Sequence, residues 1–175
     1  MDDQSIFNNV RNLLGLTSLS LLLFSPTTVA ASADPGSVKS SSILNQTYAA
    51  NTFVYNPRSL QWKATKNGKV VRAGYGSGGR GYCKDIRRSC RTPTGTYRVV
   101  SKRGSDCRST RYPVGRGGAP MPYCMFFSKY YAIHGSPDVP KYNASHGCIR
   151  VKTHDARWLH QNFMNIGTTV VVKPY

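Results

Sequence analysis

The arrangement of the five cysteines constrains this 175-residue chain more than any other feature of its sequence. Four of them lie in one Gly- and Arg-rich region, and the fifth, Cys148, sits apart from them in a different context; the four are Cys83, Cys90, Cys107 and Cys124. The number is odd, so any scheme of paired cysteines leaves one thiol over. Whether the cysteines pair at all depends on the redox state of the compartment in which the chain folds.

The first 33 residues indicate that the chain is exported. Residues 13–24 form a mostly apolar run of 12, and small residues follow it up to Ala33. A membrane-spanning helix needs about 20 apolar residues, whereas a shorter run followed by small residues is typical of a secretory signal peptide. We therefore interpret 1–33 as a signal peptide cleaved before Asp34, which predicts a periplasmic or cell-wall location. An uncleaved anchor is the alternative, because two aspartates and a single arginine precede the run.

Export into an oxidising compartment predicts two disulfides among the four clustered cysteines. Three pairings are possible, and the two shortest loops favour Cys83 with Cys90 and Cys107 with Cys124. The alternative is a structural zinc site, but successive spacings of 7, 17 and 17 residues contain no tight Cys-x-x-Cys pair. We therefore expect no metal, and we expect Cys148 to remain a free thiol.

The rest of the chain predicts one mostly β domain behind a linker. Residues 34–50 are small and polar without any period, which is typical of a flexible linker, so the domain is expected to span 51–175. Sixteen Gly, ten Pro and no Glu disfavour a helical bundle. Asn67-Gly68 between two apolar runs predicts a hairpin with a type I′ turn. The predicted strands lie around Phe53–Tyr55, Leu60–Ala64, Val70–Val71, Thr96–Ser101, Phe126–His134 and Thr168–Val172.

One helix is predicted late in the chain. Thr153 is placed to cap it, and Asp155 suits the positive end of its dipole. Ala156, Leu159 and Phe163 would then fall on one face, which predicts packing against the sheet.

Two short motifs carry the chemistry. Ile133-His134-Gly135-Ser136 is followed after eight residues by Ser145-His146-Gly147-Cys148-Ile149-Arg150. A thiol becomes a good nucleophile when a nearby imidazole takes its proton. Glycines beside both groups allow close backbone approach, and amides around the cysteine can stabilise an oxyanion. The alternative is that Cys148 is a small core residue and the histidines are ordinary polar groups at strand ends.

The whole pattern resembles the L,D-transpeptidase catalytic domain, also called the YkuD type. Its hallmark is His-Gly-Ser/Thr, a loop, and then Ser-His-Gly-Cys-Ile/Val-Arg. Thr92-Pro93-Thr94-Gly95-Thr96-Tyr97 is similar to a further signature of the family, and the resemblance extends over residues 51 to 173. It implies a YkuD-like β-sandwich of mixed sheets with one helix after the cysteine motif, and the cysteines predict that this fold is disulfide-bonded. It also implies that no cofactor is needed.

The resemblance implies a role for each motif residue. Cys148 would be the nucleophile and His134 its proton acceptor and later donor. Oxyanion and pocket roles would fall to six further residues: Gly135, Ser136, Ser145, His146, Gly147 and Arg150. The third member of the site would be a backbone carbonyl, that of Gly135 or Ser136, and Asp138 is the alternative by ordinary triad logic.

The implied reaction is acyl transfer on peptidoglycan stem peptides in cell wall biogenesis, of the kind that maintains cell shape. A thioester at Cys148 would pass to the amine of a neighbouring stem, giving a 3,3 cross-link, or to another amine. Passing it to water would make the chain an L,D-carboxypeptidase. A non-catalytic wall-binding module is the other alternative, and it would need no free thiol.

The net positive charge of the chain predicts an anionic partner but does not identify it. The chain carries 24 basic and 7 acidic side chains, for a net charge of +17, and eleven of the basic residues fall between Arg80 and Arg116. No Cys2His2 spacing, aromatic RNA-binding run or basic helix accompanies them. We therefore expect anionic wall or envelope polymers as partners and no nucleic acid, with a solvated basic loop as the alternative.

Overall fold

Strands near both ends of the described chain alternate more buried with more exposed positions, as a half-buried sheet requires. In the computed structural model, residues 50–175 are described; the predicted signal peptide and all but the last residue of the predicted linker lie outside them. The strands are β1 Asn51–Asn56, β2 Gln61–Lys66, β3 Lys69–Ser77, β4 Gly95–Arg98, β5 Ser101–Lys102, β6 Met125–Phe126, β7 Ala132–Ser136, β8 Ile149–Lys152 and β9 Thr169–Val172. A short helix, α1 Thr153–Trp158, continues into a π-helical turn, Leu159–Phe163.

The nine strands form one mixed, curled sheet in the order β4-β9-β1-β2-β3-β8-β7-β6-β5. β1 with β9 and β7 with β8 are parallel, and the other pairs are antiparallel. β3 belongs to both halves of the sheet, since its body pairs with β2 and its last residues, Gly76 and Ser77, pair with β8. The predicted mostly β fold of mixed strands is confirmed.

The core lies between the two halves of the sheet. Aromatic side chains of β1 and β2 and aliphatic side chains of β7, β8 and β9 share one buried cluster, which includes Phe53, Tyr55, Trp62, Ile133, Ile149, Val151, Val170 and Val172. Leu159 and Phe163 add the apolar face that follows α1. Burial of these side chains stabilises the fold by roughly 1.5–3 kcal/mol for each large residue.

The Asn67-Gly68 hairpin is confirmed. The two residues join β2 to β3 with φ angles of 51° and 75°, in the left-handed region that a type I′ turn requires at both central positions. Asparagine and glycine tolerate that region better than other residues.

Three local predictions are wrong. Thr96–Ser101 is not one strand, because β4 ends at Arg98 and pairs with β9, whereas Ser101 begins β5, which pairs with β6 at the other end of the sheet. Phe126–His134 is not one strand, because the chain reverses between β6 and β7; Ser128 Oγ accepts the amide protons of Tyr130 and Tyr131 at 3.4 and 3.3 Å and so closes a turn. Thr153 does not cap α1 either. It is the first helical residue, Lys152 holds the cap position, and no side chain makes a capping bond there.

The disulfide prediction is confirmed in full. Cys83 is bonded to Cys90 and Cys107 to Cys124, and Cys148 is a free thiol. Each bond closes a loop of irregular chain, which restricts the unfolded state where strand pairing is sparse. Within residues 50–175, no helix is long and apolar enough to cross a membrane.

Candidate active site

The parallel pair β7 and β8 brings the two motifs together. His134 of β7 lies opposite Arg150 of β8, and Ile133 lies opposite Ile149. Because side chains alternate along a strand, the two isoleucines point into the core, where both are fully buried. Cys148 directly precedes β8, two residues before Arg150. The thiol, the imidazole and the guanidinium therefore share the face that is turned away from the core.

That face opens into a cavity of about 390 Å³. Within the described part of the chain, six of the eight motif residues assigned roles in the site line it: His134, Ser136, Ser145, His146, Cys148 and Arg150. Gly135 and Gly147 shape the backbone beside it. Another part of its wall comes from 108–112 and 119–121 in the segment held by the Cys107–Cys124 disulfide, with Arg103 just before that segment.

The imidazole of His134 is fixed by a backbone carbonyl. Its Nδ1 lies 2.9 Å from Gly135 O, and since a carbonyl oxygen only accepts, Nδ1 carries the proton and Nε2 is left as the basic nitrogen. The Gly135 amide is already donated to Pro122 O at 2.8 Å. Gly135 therefore contributes its carbonyl to the site, and its amide does not face an oxyanion.

His134 is neutral near pH 7. Burial lowers the pKa of its imidazole to about 4; the bond to Gly135 opposes that shift and the charge of Arg150 adds to it. A neutral imidazole is the form that can accept a proton from a thiol.

The thiol of Cys148 is protonated at rest. Its Sγ lies 3.9 Å from Tyr130 O, to which it donates. Burial raises the pKa of the thiol, and the Ala132 amide and the charge of Arg150 partly offset that shift. The thiol and imidazole are therefore a neutral pair, and a thiolate forms only when the proton is taken during attack.

Ser145 locks the turn that carries the cysteine. Its hydroxyl donates to Cys148 O and accepts the Gly147 amide at 3.0 Å. Its own amide donates to Gly78 O at 2.9 Å. Gly147 has a φ of 124°, which favours glycine. This turn holds the thiol at one fixed place on the cavity wall.

His146 is held by two residues that the sequence did not single out. Its Nε2 lies 2.7 Å from Asp85 Oδ2, and its ring stacks on Tyr112 with centroids 4.3 Å apart. Burial works against ionisation of Asp85, but the bond and charge of His146 outweigh it and keep the pKa of that carboxyl below its ordinary value. Neither partner is near His146 in the chain, so no local signal could have identified them.

The His146 ring also lies beside a disulfide. The sulfurs of Cys83 and Cys90 and a ring nitrogen of His146 lie within 4.8 Å of one another. Because the two sulfurs are bonded to each other, neither is available as the thiolate that a zinc ion would require. The disulfide instead fixes the loop that presents Asp85.

Asp138 does not orient His134. Its carboxylate pairs with Arg150 at 2.9 Å and is largely exposed. Its amide and carbonyl both bond the Ser136 hydroxyl. Asp138 and Ser136 thus brace the outer end of β7 while Gly135 O holds the imidazole.

Comparison with known proteins agrees with this geometry. The sequence model of the YkuD family, described as an L,D-transpeptidase catalytic domain, matches residues 52–172. Among solved structures, an L,D-transpeptidase from Xylanimonas cellulosilytica is similar with 29% identity and a TM-score of 0.61 over 73% of this chain and 62% of that one. One from Mycobacterium smegmatis has 19% identity and a TM-score of 0.59, with 72% and 59% covered. One from Mycobacterium tuberculosis has 23% identity and the same TM-score, with 72% and 58% covered.

The chain spans about three fifths of the length of these solved structures. The comparison with curated proteins found no match.

Proposed function

The chain belongs to the YkuD family of L,D-transpeptidase catalytic domains, and from that membership we propose that it transfers acyl groups between peptidoglycan stem peptides through a thioester at Cys148. The observation that carries this proposal is the placement of His134 and Cys148 on one face of the β7–β8 pair, in one cavity. The donor is a stem whose third residue, a diamino acid, is joined to a terminal D-Ala.

In the first half-reaction, Cys148 Sγ attacks the carbonyl carbon of the diamino acid. The thiol proton passes to His134 Nε2 as the carbon–sulfur bond forms, because both groups begin neutral. The resulting imidazolium then gives that proton to the departing nitrogen of D-Ala, the carbon–nitrogen bond breaks, and a thioester remains. Gly135 O stabilises the imidazolium through Nδ1.

The tetrahedral oxyanion needs donors near the sulfur. The amides of Ser145 and Gly147 already donate within the fold. We assign the oxyanion to the amides of Cys148 and His146, which belong to the same locked turn.

In the second half-reaction, the side-chain amine of another stem attacks the thioester. His134 takes its proton and returns one to the leaving thiolate, which gives a 3,3 cross-link and regenerates the neutral pair. If water attacks instead, the product is a tripeptide stem, and the chain acts as an L,D-carboxypeptidase. Cross-linking is the outcome we propose, because the family whose model matches the chain is that of the L,D-transpeptidases.

We place this reaction outside the cytoplasm, in wall biogenesis. The two disulfides support that placement, because such bonds persist in oxidising compartments. The predicted signal peptide supports it from the sequence.

The test is product analysis by mass spectrometry. Residues 34–175 are incubated with a disaccharide-tetrapeptide, and release of D-Ala together with a dimer is expected. Cys148→Ala and His134→Ala should abolish both, whereas His154→Ala, which alters an exposed histidine outside the cavity, should not. Turnover by Cys148→Ala at the rate of the unmodified protein would refute the proposal. A tripeptide product without any dimer would show that the chain is an L,D-carboxypeptidase and not a transpeptidase.

A further inference from the structure

The cavity wall is strongly cationic. Within residues 50–175, five basic side chains line it and a single carboxylate, that of Asp138, opposes them; the five are Arg103, Arg108, Arg111, Lys129 and Arg150. A low-dielectric cleft lined by one sign of charge focuses its field on a ligand of the opposite sign. The chemistry of the acyl transfer itself requires no such excess.

Some of these cations already have partners. Arg150 pairs with Asp138, and Arg108 donates to Gly118 O at 2.9 Å. Arg103, Arg111 and Lys129 differ, since no salt bridge among the described residues involves any of the three. Their charges are available to a ligand.

Arg111 and Lys129 converge on one aromatic ring. The guanidinium carbon of Arg111 lies 5.0 Å and Lys129 Nζ 5.3 Å from the centre of the Tyr130 ring. Tyr130 is 53% exposed, so the two cations stand at an open edge of the cavity. Cation–π contact holds them there without neutralising either charge.

This cluster of Arg111, Tyr130 and Lys129 lies next to the reacting atoms. The Cys148 thiol donates to the carbonyl of the same Tyr130. Arg111 and Tyr130 also line a second cavity of about 350 Å³, together with His146 and Tyr112. Arg111 and Lys129 therefore lie in the wall of the same cavity as the thiol.

We propose that Arg111 and Lys129 bind a substrate carboxylate and make the enzyme selective for stems whose diamino acid keeps a free side-chain carboxylate. Stems with that group amidated, or with a diamino acid that lacks it, would bind more weakly. This inference rests on the proposed function and names the substrate class of the same site. A carboxylate is the natural ligand for a planar guanidinium or an ammonium, because charge-assisted hydrogen bonds are roughly twice as strong as neutral ones.

The test measures binding in the Cys148→Ala protein, so that selection is separated from turnover. Two synthetic tetrapeptide stems are compared by calorimetry, one with the side-chain carboxylate and one with the carboxamide. The carboxylate form should bind at least about tenfold more tightly, which is the effect of one charge-assisted hydrogen bond. In Arg111→Gln/Lys129→Gln the preference should fall to about twofold or less.

Arg116→Gln is the matched control. Arg116 is an exposed arginine of the same disulfide-held segment and is not among the cavity-lining residues, so this variant should keep the full preference. Melting temperatures of all variants establish that each one is folded.

The outcomes separate the two proposals. Equal binding of both stems, or a preference that survives Arg111→Gln/Lys129→Gln, would overturn the carboxylate inference and leave the transpeptidase proposal standing. Binding of neither stem would overturn the proposed function and this inference with it.

Discussion

Gly147 packs directly against the ring of Tyr131, and a β-carbon built on Gly147 would overlap Tyr131 Cδ1 and Cε1. The same glycine has a φ of 124°, which other residues rarely adopt. Tyr131 in turn belongs to the apolar layer that covers the main core. The backbone that presents Cys148 is therefore set against a packed aromatic ring and cannot take a side chain at this position.

Gly147→Ala should remove nearly all turnover. The added methyl must displace Tyr131 or twist the turn, and a shift of about 1 Å in a reacting group costs on the order of 10²-fold in rate. The measurement is kcat/KM on the tetrapeptide stem, with Gly81→Ala as control. Gly81 has open space around its Cα, so its variant should retain activity. Comparable activity in the two variants would show that the Gly147 turn does not position the thiol.

The acid limb of the pH profile should lie well below pH 6.5. His134 has a pKa of about 4 in the folded protein, so its imidazole stays neutral as the pH falls from 7 towards 5. A profile of kcat/KM for the stem between pH 3.5 and about 8 measures this. An acid limb near 6.5, the ordinary histidine value, would show that the imidazole is solvated in the working enzyme.

The free energy of unfolding should decrease as the pH falls from about 6.5 to about 4. An unfolded chain binds a proton at His134 below about pH 6.5, whereas the folded protein resists it until about pH 4. The unfolded state therefore gains protons first, and the free energy of unfolding decreases as the pH falls between these values, by on the order of 3 kcal/mol from this residue. Urea titrations of the wild type and His134→Gln should show a steeper pH dependence in the wild type. Parallel curves would contradict the buried neutral imidazole.

Asp138→Asn should lower kcat/KM by less than about tenfold. A carboxylate that orients a catalytic histidine costs about 10⁴-fold when its charge is removed, but here Gly135 O makes that contact and Asp138 pairs with Arg150. Asp106→Asn changes an aspartate outside the cavity and serves as the control. A loss of a thousandfold or more in Asp138→Asn alone would show that the Asp138 carboxylate orients His134 after all.

Removal of the Cys83–Cys90 disulfide should lower both stability and turnover. The Cys83–Cys90 bond spans 7 residues, and its loss in Cys83→Ala/Cys90→Ala should cost about 2 kcal/mol of unfolding free energy. Turnover should also fall, because Asp85 inside that loop holds His146. Asp85→Asn should reproduce the loss of turnover with a melting temperature close to wild type. If Asp85→Asn keeps full turnover, the loop acts on stability alone.

Added salt should weaken binding of the protein to anionic wall polymers more than it lowers turnover of a small stem. Between about 0.05 and 0.5 M salt, retention on wall material that carries anionic polymers should drop more than turnover of a small soluble stem, since exposed charges are screened more than those in a cleft. Sedimentation with wall fragments and a stem assay in the same buffers provide the comparison. Equal salt effects on both would show that the basic Arg80–Arg116 segment does not bind anionic wall polymers.

The parts of the molecule that sequence could predict are those decided by near neighbours in the chain. The Asn67-Gly68 turn depends on the φ preferences of two adjacent residues. The short loop between Cys83 and Cys90 favours that pairing over distant ones. The two His-Gly motifs are each only a few adjacent residues long, and their order along the chain matches the hallmark of the family.

The parts that escaped prediction depend on side chains that meet across the fold. Asp155 was assigned to the helix dipole, but its carboxylate also pairs with Arg72 at 2.7 Å, 83 residues away. Asp85 and His146 are separated by 61 residues. The reversal at Ser128 was missed for another reason, because alternation of apolar residues continues through the turn and hides the hydroxyl that closes it.

The parallel ladder between β7 and β8 has a consequence for how such an enzyme can diversify. His134 lies in β7 and Cys148 directly precedes β8, so the strand pairing and the Ser145–Gly147 turn together set their separation. The outer part of the connection, residues 137–142, and the disulfide-held segment make neither of these contacts. If the two proposals above hold, changes of length and charge in those stretches alter substrate choice and leave the thiol and imidazole in place.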